Sequence, residues 1–161
     1  MGTFSGKLLV EYNDGRSWDH RVDPAAPFQW TGSLGTVAPP EGLRTDFATI
    51  PHLFAVFLPG PGWGRKARWG PAAVLHDWLY LCQTRPDSTP LTRKGADAVF
   101  REAMKDLGVS RGYRWIIWAG VRCFGWVWWA WFRRRRTVEP LNAVMPSWRI
   151  FQAFWWALVD R

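Results

Sequence analysis

A chain of 161 residues, 48% hydrophobic and 21% charged, has room for one core and little beyond it, which argues against a multidomain architecture, and a single domain over 1–161 is expected. The net charge of +8 points to an anionic partner without choosing among nucleic acid, a lipid surface and the inside of a capsid. Two cysteines, Cys82 and Cys123, are too few for a disulfide scaffold, and the opening Met1-Gly-Thr-Phe-Ser-Gly-Lys carries no apolar signal core, so a reducing interior is the expected place of synthesis.

From Lys7 to Val22 the chain alternates around Asn13-Asp14-Gly15, which predicts a β-hairpin because Asp-Gly accepts the positive φ of a type I′ turn. Prolines and glycines from Pro24 to Gly42 break the following stretch into short strands and turns. After Pro51 an apolar run leads into the loop Pro59-Gly60-Pro61-Gly62-Trp63-Gly64. Helical patterning then predicts helices at roughly 71–84, 92–107 and 111–132, and a fourth near 147–159. Pro71 suits a first helical turn, Thr92 or Thr89 a cap, and Gly108 a helix end. The expected class is α+β: a small antiparallel β region over 1–51, a helical core over 52–132 containing an antiparallel helix pair, and a basic, Trp-rich extension over 133–161.

Nine of the 14 tryptophans follow Tyr113, which makes the C-terminal third chemically distinct. Trp115 to Phe132 is long enough to reach across a hydrocarbon core, but Arg122 near its midpoint, Gly120 and Gly125 oppose a span. A helix lying in a lipid interface is a second reading. The third, plainer reading packs Trp115, Ile116, Trp118, Ala119, Val121 and Phe124 as core, with Arg122 paired to a carboxylate. Trp126, Trp128, Trp129 and Trp131, with Arg133, Arg134, Arg135 and Arg136 behind them, form the candidate membrane- or partner-facing surface. The position of the arginines directly after the aromatic helix favours an anionic phospholipid over nucleic acid.

The string most informative about chemistry is Ala72-Ala73-Val74-Leu75-His76-Asp77-Trp78-Leu79-Tyr80. Ala73, His76, Asp77 and Tyr80 share one helical face, and Arg93, Asp97, Phe100 and Met104 share a face of the next helix. His76 lies roughly 12 Å before the end of its helix and Asp97 roughly 8 Å into the next, so an antiparallel pair brings them nearly level. A buried carboxylate accepting Nδ1–H would fix the imidazole tautomer and leave the other nitrogen free to take a proton from water. Asp77, about 100° around the helix, could ligate a hard cation together with bent loop carbonyls at Gly60 and Gly62. The plainer alternative is a structural network in which Arg93 and Arg122 neutralise the aspartates. Asp46 is either a further site carboxylate or the first residue of an Asx turn. His20 and His52 read as surface or turn residues, and Cys82 as packing.

The order of a Gly-x-Gly loop, Ala-Ala-x-x-His-Asp-x-x-Tyr and then Ala-Asp-x-x-Phe resembles the phospholipase A2 superfamily over roughly residues 58–104, particularly its disulfide-free viral-capsid branch. That resemblance implies His76 as base, Asp77 as calcium ligand with the carbonyls of Gly60 and Gly62, Asp97 as the residue orienting His76, and Tyr80 as hydrogen-bond support. Ala72, Ala73 and Leu79 stand where secreted members carry cysteines. Over most of residues 1–125 the chain also resembles a family of small proteins of unknown function from tailed bacteriophages and prophages, through Gly42-Leu-Arg-Thr45-Asp46-Phe-Ala-Thr49-Ile-Pro51, His76-Asp77-Trp-Leu-Tyr80, Arg93, Ala96-Asp97 and Phe100. Together they imply a calcium-dependent lipid or ester hydrolase at a membrane surface, made in the host cytoplasm and then held in the virion or on the inner membrane. A non-catalytic virion or tail-assembly component bound to other virion proteins, and a membrane-active lysis accessory, are the alternatives.

Overall fold

The computed structural model describes residues 2–13, 17–45 and 68–135. The expected helix at 147–159, Asp46, His52, Gly60, Gly62 and Arg136 lie outside the described residues, as does the side chain of Arg135.

Six short strands precede three helices, an α+β arrangement: β1 (Thr3–Ser5), β2 (Leu9–Asn13), β3 (Ser17–Arg21), β4 (Gln29–Gly32), β5 (Gly35–Val37), β6 (Arg44–Thr45), α1 (Gly70–Cys82), α2 (Arg93–Asp106) and α3 (Arg111–Arg135). The strands form two three-stranded antiparallel sheets, ordered β1-β4-β5 and β2-β3-β6. The hairpin strands expected between Lys7 and Val22 are β2 and β3, with Leu9 opposite Arg21 and Val10 opposite His20. Trp30 is fully buried between exposed or half-buried neighbours, the alternation of a strand with one face on the core. Its Nε1–H donates to Asp106 Oδ2 at 3.0 Å, tying β4 to the end of α2, and the Gly2 amide donates to the same oxygen at 3.1 Å.

His20 is not at the surface. It is 0% exposed, because the segment before β6 folds over it: the His20 amide donates to Leu43 O and the Gly42 amide to His20 O. Its Nδ1 lies 2.9 Å from Pro40 O.

The helix at the centre is α1. Nine of its thirteen residues are buried, from Gly70 to Tyr80, and a helix apolar on nearly every side has to be surrounded. Pro71 sits in its first turn, where a missing amide costs nothing. Its last turn closes on Gln83, a non-glycine residue at φ +51°, whose side-chain amide donates to Trp129 O at 2.9 Å and pins that end of α1 to α3. Thr92 caps α2 as expected, its hydroxyl accepting from the Gly95 amide at 3.1 Å. Gly108, at φ +70°, ends α2 in the conformation that L side chains resist.

On α3 the inward register matches the expected core at Val121 and Trp118 and departs from it at Trp115. Ile117, Val121 and Phe132 are buried, Gly120 and Gly125 face inward with them, and Trp115 is 58% exposed. At Gly125 the reason lies in α1, whose Tyr80 side chain leaves no room opposite it for a Cβ. Among the described residues no helix is long and apolar enough to cross a membrane.

Candidate functional site

Asp97 is the centre of the polar network. It is 0% exposed, one turn into α2, between α1 and α3. Its Oδ1 accepts from the Tyr80 hydroxyl at 2.6 Å and lies 3.1 Å from His76 Nε2, and its Oδ2 accepts from Arg122 Nη1 at 2.8 Å. Arg93, one turn earlier on α2, places Nη1 3.6 Å from the same Oδ2 and donates to the Arg122 carbonyl at 2.9 Å. His76 and Asp97 thus meet as the helix arithmetic requires, with Tyr80 and Arg93 beside them.

Burial pushes the Asp97 carboxyl up, but the bonds from His76, Arg122 and Tyr80 outweigh it and hold the pKa below the ordinary carboxylate value. The Tyr80 hydroxyl is driven well above its ordinary value, first by burial and then by the neighbouring Asp97 charge, so it remains a donor. An ionised Oδ1 beside Nε2 requires a proton on that nitrogen. The expected roles of the two ring nitrogens are therefore exchanged: Nε2 faces the carboxylate, and Nδ1 is left, buried and without a hydrogen-bond partner among the described residues. The ring is 4% exposed and packed 4.1 Å from the Tyr80 ring and 4.7 Å from Phe100, centroid to centroid. The imidazole lies against the Asp97 carboxylate, that carboxylate has two guanidinium partners, and Asp77, the other aspartate expected to be neutralised by arginine, is bonded by Thr45.

Asp77 turns the other way. Its Oδ2 accepts from the Thr45 hydroxyl at 2.5 Å, so α1 joins the sheet of β2, β3 and β6 through two buried polar side chains. No group of three or more His, Cys, Asp or Glu side chains able to hold a metal occurs among the described residues. The described part of the site therefore does not make a calcium cage: Asp77 brings one carboxylate, already engaged by Thr45, and the loop carbonyls assigned to the ion fall outside the described residues.

Two contributors were hidden from the sequence. Thr45 shows no period linking it to a helix 32 residues on. The pairing of Arg122 with an aspartate of this cluster was expected, and that aspartate is Asp97. Gly125 faces the Tyr80 hydroxyl so closely that a Cβ there would stand 2.4 Å from it; the paired signal was a small residue placed in a run of tryptophans. Of the candidate surface tryptophans, Trp126 is 54% exposed, whereas Trp128, Trp129 and Trp131 are half-buried against the core, Trp129 edge-on to Tyr80 at 5.1 Å. Arg133 and Arg134 are exposed on the last turns of α3.

A family model, Protein of unknown function (DUF1353), matches residues 23–121, more than half of the chain, and spans β4 to the first turns of α3 with every described member of the His76 cluster except Arg122. The chain belongs to the DUF1353 family. Its matched region holds both Thr45 and the His76-Asp77 pair, so the contact between sheet and helix lies inside the family's own boundaries. No curated protein and no solved structure matches the chain.

Proposed function

We propose that the chain is a phage-encoded hydrolase of the phospholipase A2 kind, cleaving a carboxylic ester of phospholipid at a membrane surface. The observation carrying this reading is the His76 imidazole, held on Asp97 through Nε2 with Nδ1 unpartnered among the described residues. A buried nitrogen without a partner costs about 1–3 kcal/mol, and this one belongs to a ring whose other nitrogen rests on a carboxylate able to stabilise a positive charge. His20 also has an unpartnered ring nitrogen, Nε2, but its other nitrogen rests on a backbone carbonyl, which cannot stabilise a positive ring as a carboxylate does. In the proposed step Nδ1 takes a proton from water as the water oxygen bonds to the ester carbonyl carbon. Asp97 stabilises the imidazolium; the ester C–O bond then breaks and the proton passes to the leaving alcohol. The step needs a water admitted beside Nδ1. Calcium enters the proposal as an addition to be tested, with Asp77 the carboxylate the resemblance assigns to it.

A second reading has its own observation. Asp97 is engaged by both Arg93 and Arg122, which suits a cluster whose task is to hold three helices together in a virion or tail-assembly component. Fatty-acid release from phosphatidylglycerol vesicles separates the two, measured with calcium, with chelator and with His76→Ala. Release that requires His76 supports the hydrolase, and its dependence on calcium supports the ion. Absent release from folded protein, together with fixed stoichiometry in purified particles, supports the structural component.

A further inference from the structure

The outer faces of α2 and α3 divide charge in a way that no catalytic role demands. The carboxylates of α2 are all spent inward or on the sheet: Asp97 on the His76 cluster, Glu102 on the Ser33 hydroxyl at 2.5 Å, and Asp106 on Trp30 and Gly2. What remains exposed on α2 is Lys94, Ala98, Arg101 and Lys105, at the spacing of one helical face. Helix α3 contains no acidic residue, and Trp115 and Trp126 are its two most exposed apolar side chains. Eleven residues apart, they lie on one face about 16 Å from each other, close to three full turns. The two ridges are fastened together, since Arg101 lies over the Trp118 ring at 5.2 Å and Arg93 bonds the Arg122 carbonyl. The exposed residues of both helices thus combine bases and large aromatics with no acid among them.

We infer that this two-helix face, Lys94, Arg101 and Lys105 beside Trp115 and Trp126, seats the protein on an anionic phospholipid bilayer. Charge complementarity selects the partner: cations at headgroup level gain from anionic lipid, while tryptophan places an apolar ring at the acyl boundary and its N–H in the headgroups. Two tryptophans 16 Å apart are too far separated to stack successive bases, which disfavours single-stranded nucleic acid. Arg122 lies between them on the helix and reaches inward to Asp97, so the face sits directly over the His76 cluster. The inference extends the hydrolase reading by naming what brings lipid to the site, and its test reads binding without turnover, so the two fail separately.

The test is co-sedimentation of the full chain with phosphatidylglycerol vesicles, phosphatidylcholine vesicles and single-stranded DNA. The protein is expected on the anionic vesicles. Lys94→Glu/Lys105→Glu and Trp115→Ala/Trp126→Ala are each expected to weaken binding roughly tenfold with unchanged circular dichroism. A polarity-sensitive fluorophore on exposed Cys123, in a Cys82→Ala background, is expected to shift to the blue on anionic vesicles alone. Binding unchanged in either double variant, capture by DNA but not by vesicles, or equal binding to both vesicle types would overturn the inference.

Discussion

Thr45 Oγ1 donates to Asp77 Oδ2 across 2.5 Å, and both side chains are buried. One residue ends a two-residue strand, the other stands mid-helix, and their bond joins the β region to the helix that carries His76. Sheet and site are therefore coupled: Thr45 holds the residue next to the imidazole. Thr45→Val, which keeps the shape and deletes the donor, is expected to cost about 1–3 kcal/mol in urea denaturation, because a buried carboxylate oxygen loses a donor. Thr45→Ser, which retains the hydroxyl, is expected to recover most of that loss.

Removing the carboxylate at the centre of the network leaves two guanidiniums facing each other. Asp97→Ala is expected to destabilise by about 3 kcal/mol, the lower end for a broken buried pair because Arg93 and Arg122 keep some contact with solvent. The pH dependence has a defined sign. Asp97 is depressed in the folded state, so its contribution is complete above the unfolded value of 3.8 and is lost as pH falls below it. Acid unfolding followed by circular dichroism is expected to show a shallower decline in Asp97→Asn than in the wild type.

Tyr80 gives the opposite limb. Its folded pKa is raised, so the unfolded chain loses the phenol proton first, near pH 10.0, and stability falls as pH rises beyond that point. Tyr80→Phe is expected to start less stable at neutral pH and to lose less on going alkaline, measurable as the midpoint of urea unfolding at pH 8 and above 10.

Gly125→Ala drives a methyl to 2.4 Å from the Tyr80 hydroxyl, with the ring carbons at 3.2 and 3.3 Å. The expected cost is about 1–3 kcal/mol despite the better helix propensity of alanine. Because the hydroxyl is the nearest atom, Gly125→Ala/Tyr80→Phe is expected to be more stable than the sum of the two single changes, a coupling read from a double-mutant cycle.

What the sequence revealed followed from periodicity. The β-hairpin strands, the three helices within a few residues, the Thr92 cap and the level meeting of His76 with Asp97 all depend on spacing along one or two adjacent elements. The misreadings depend on distant partners. An 18-residue aromatic run looks apolar on all sides, which places Trp115 in the core in the plainest of its three readings; in the structure it is 58% exposed, and Gly125 rather than a tryptophan stands against Tyr80 of α1. His20 reads as a surface or turn residue because nothing in a short alternating strand shows that residues 40–43 will fold over it. The ring nitrogen presented to Asp97 likewise depends on how α1 is rotated against α2, which spacing does not specify.

The most direct test of the account is the protonation of the His76 ring, read from its two 15N resonances at neutral pH and assigned with His76→Gln. With Asp97 charged at Nε2, the proton is expected on Nε2 and the lone pair on Nδ1, and Asp97→Asn is expected to disturb that preference. A proton found on Nδ1 with Nε2 bare would contradict it, because the nitrogen assigned to water would then have nothing to accept with.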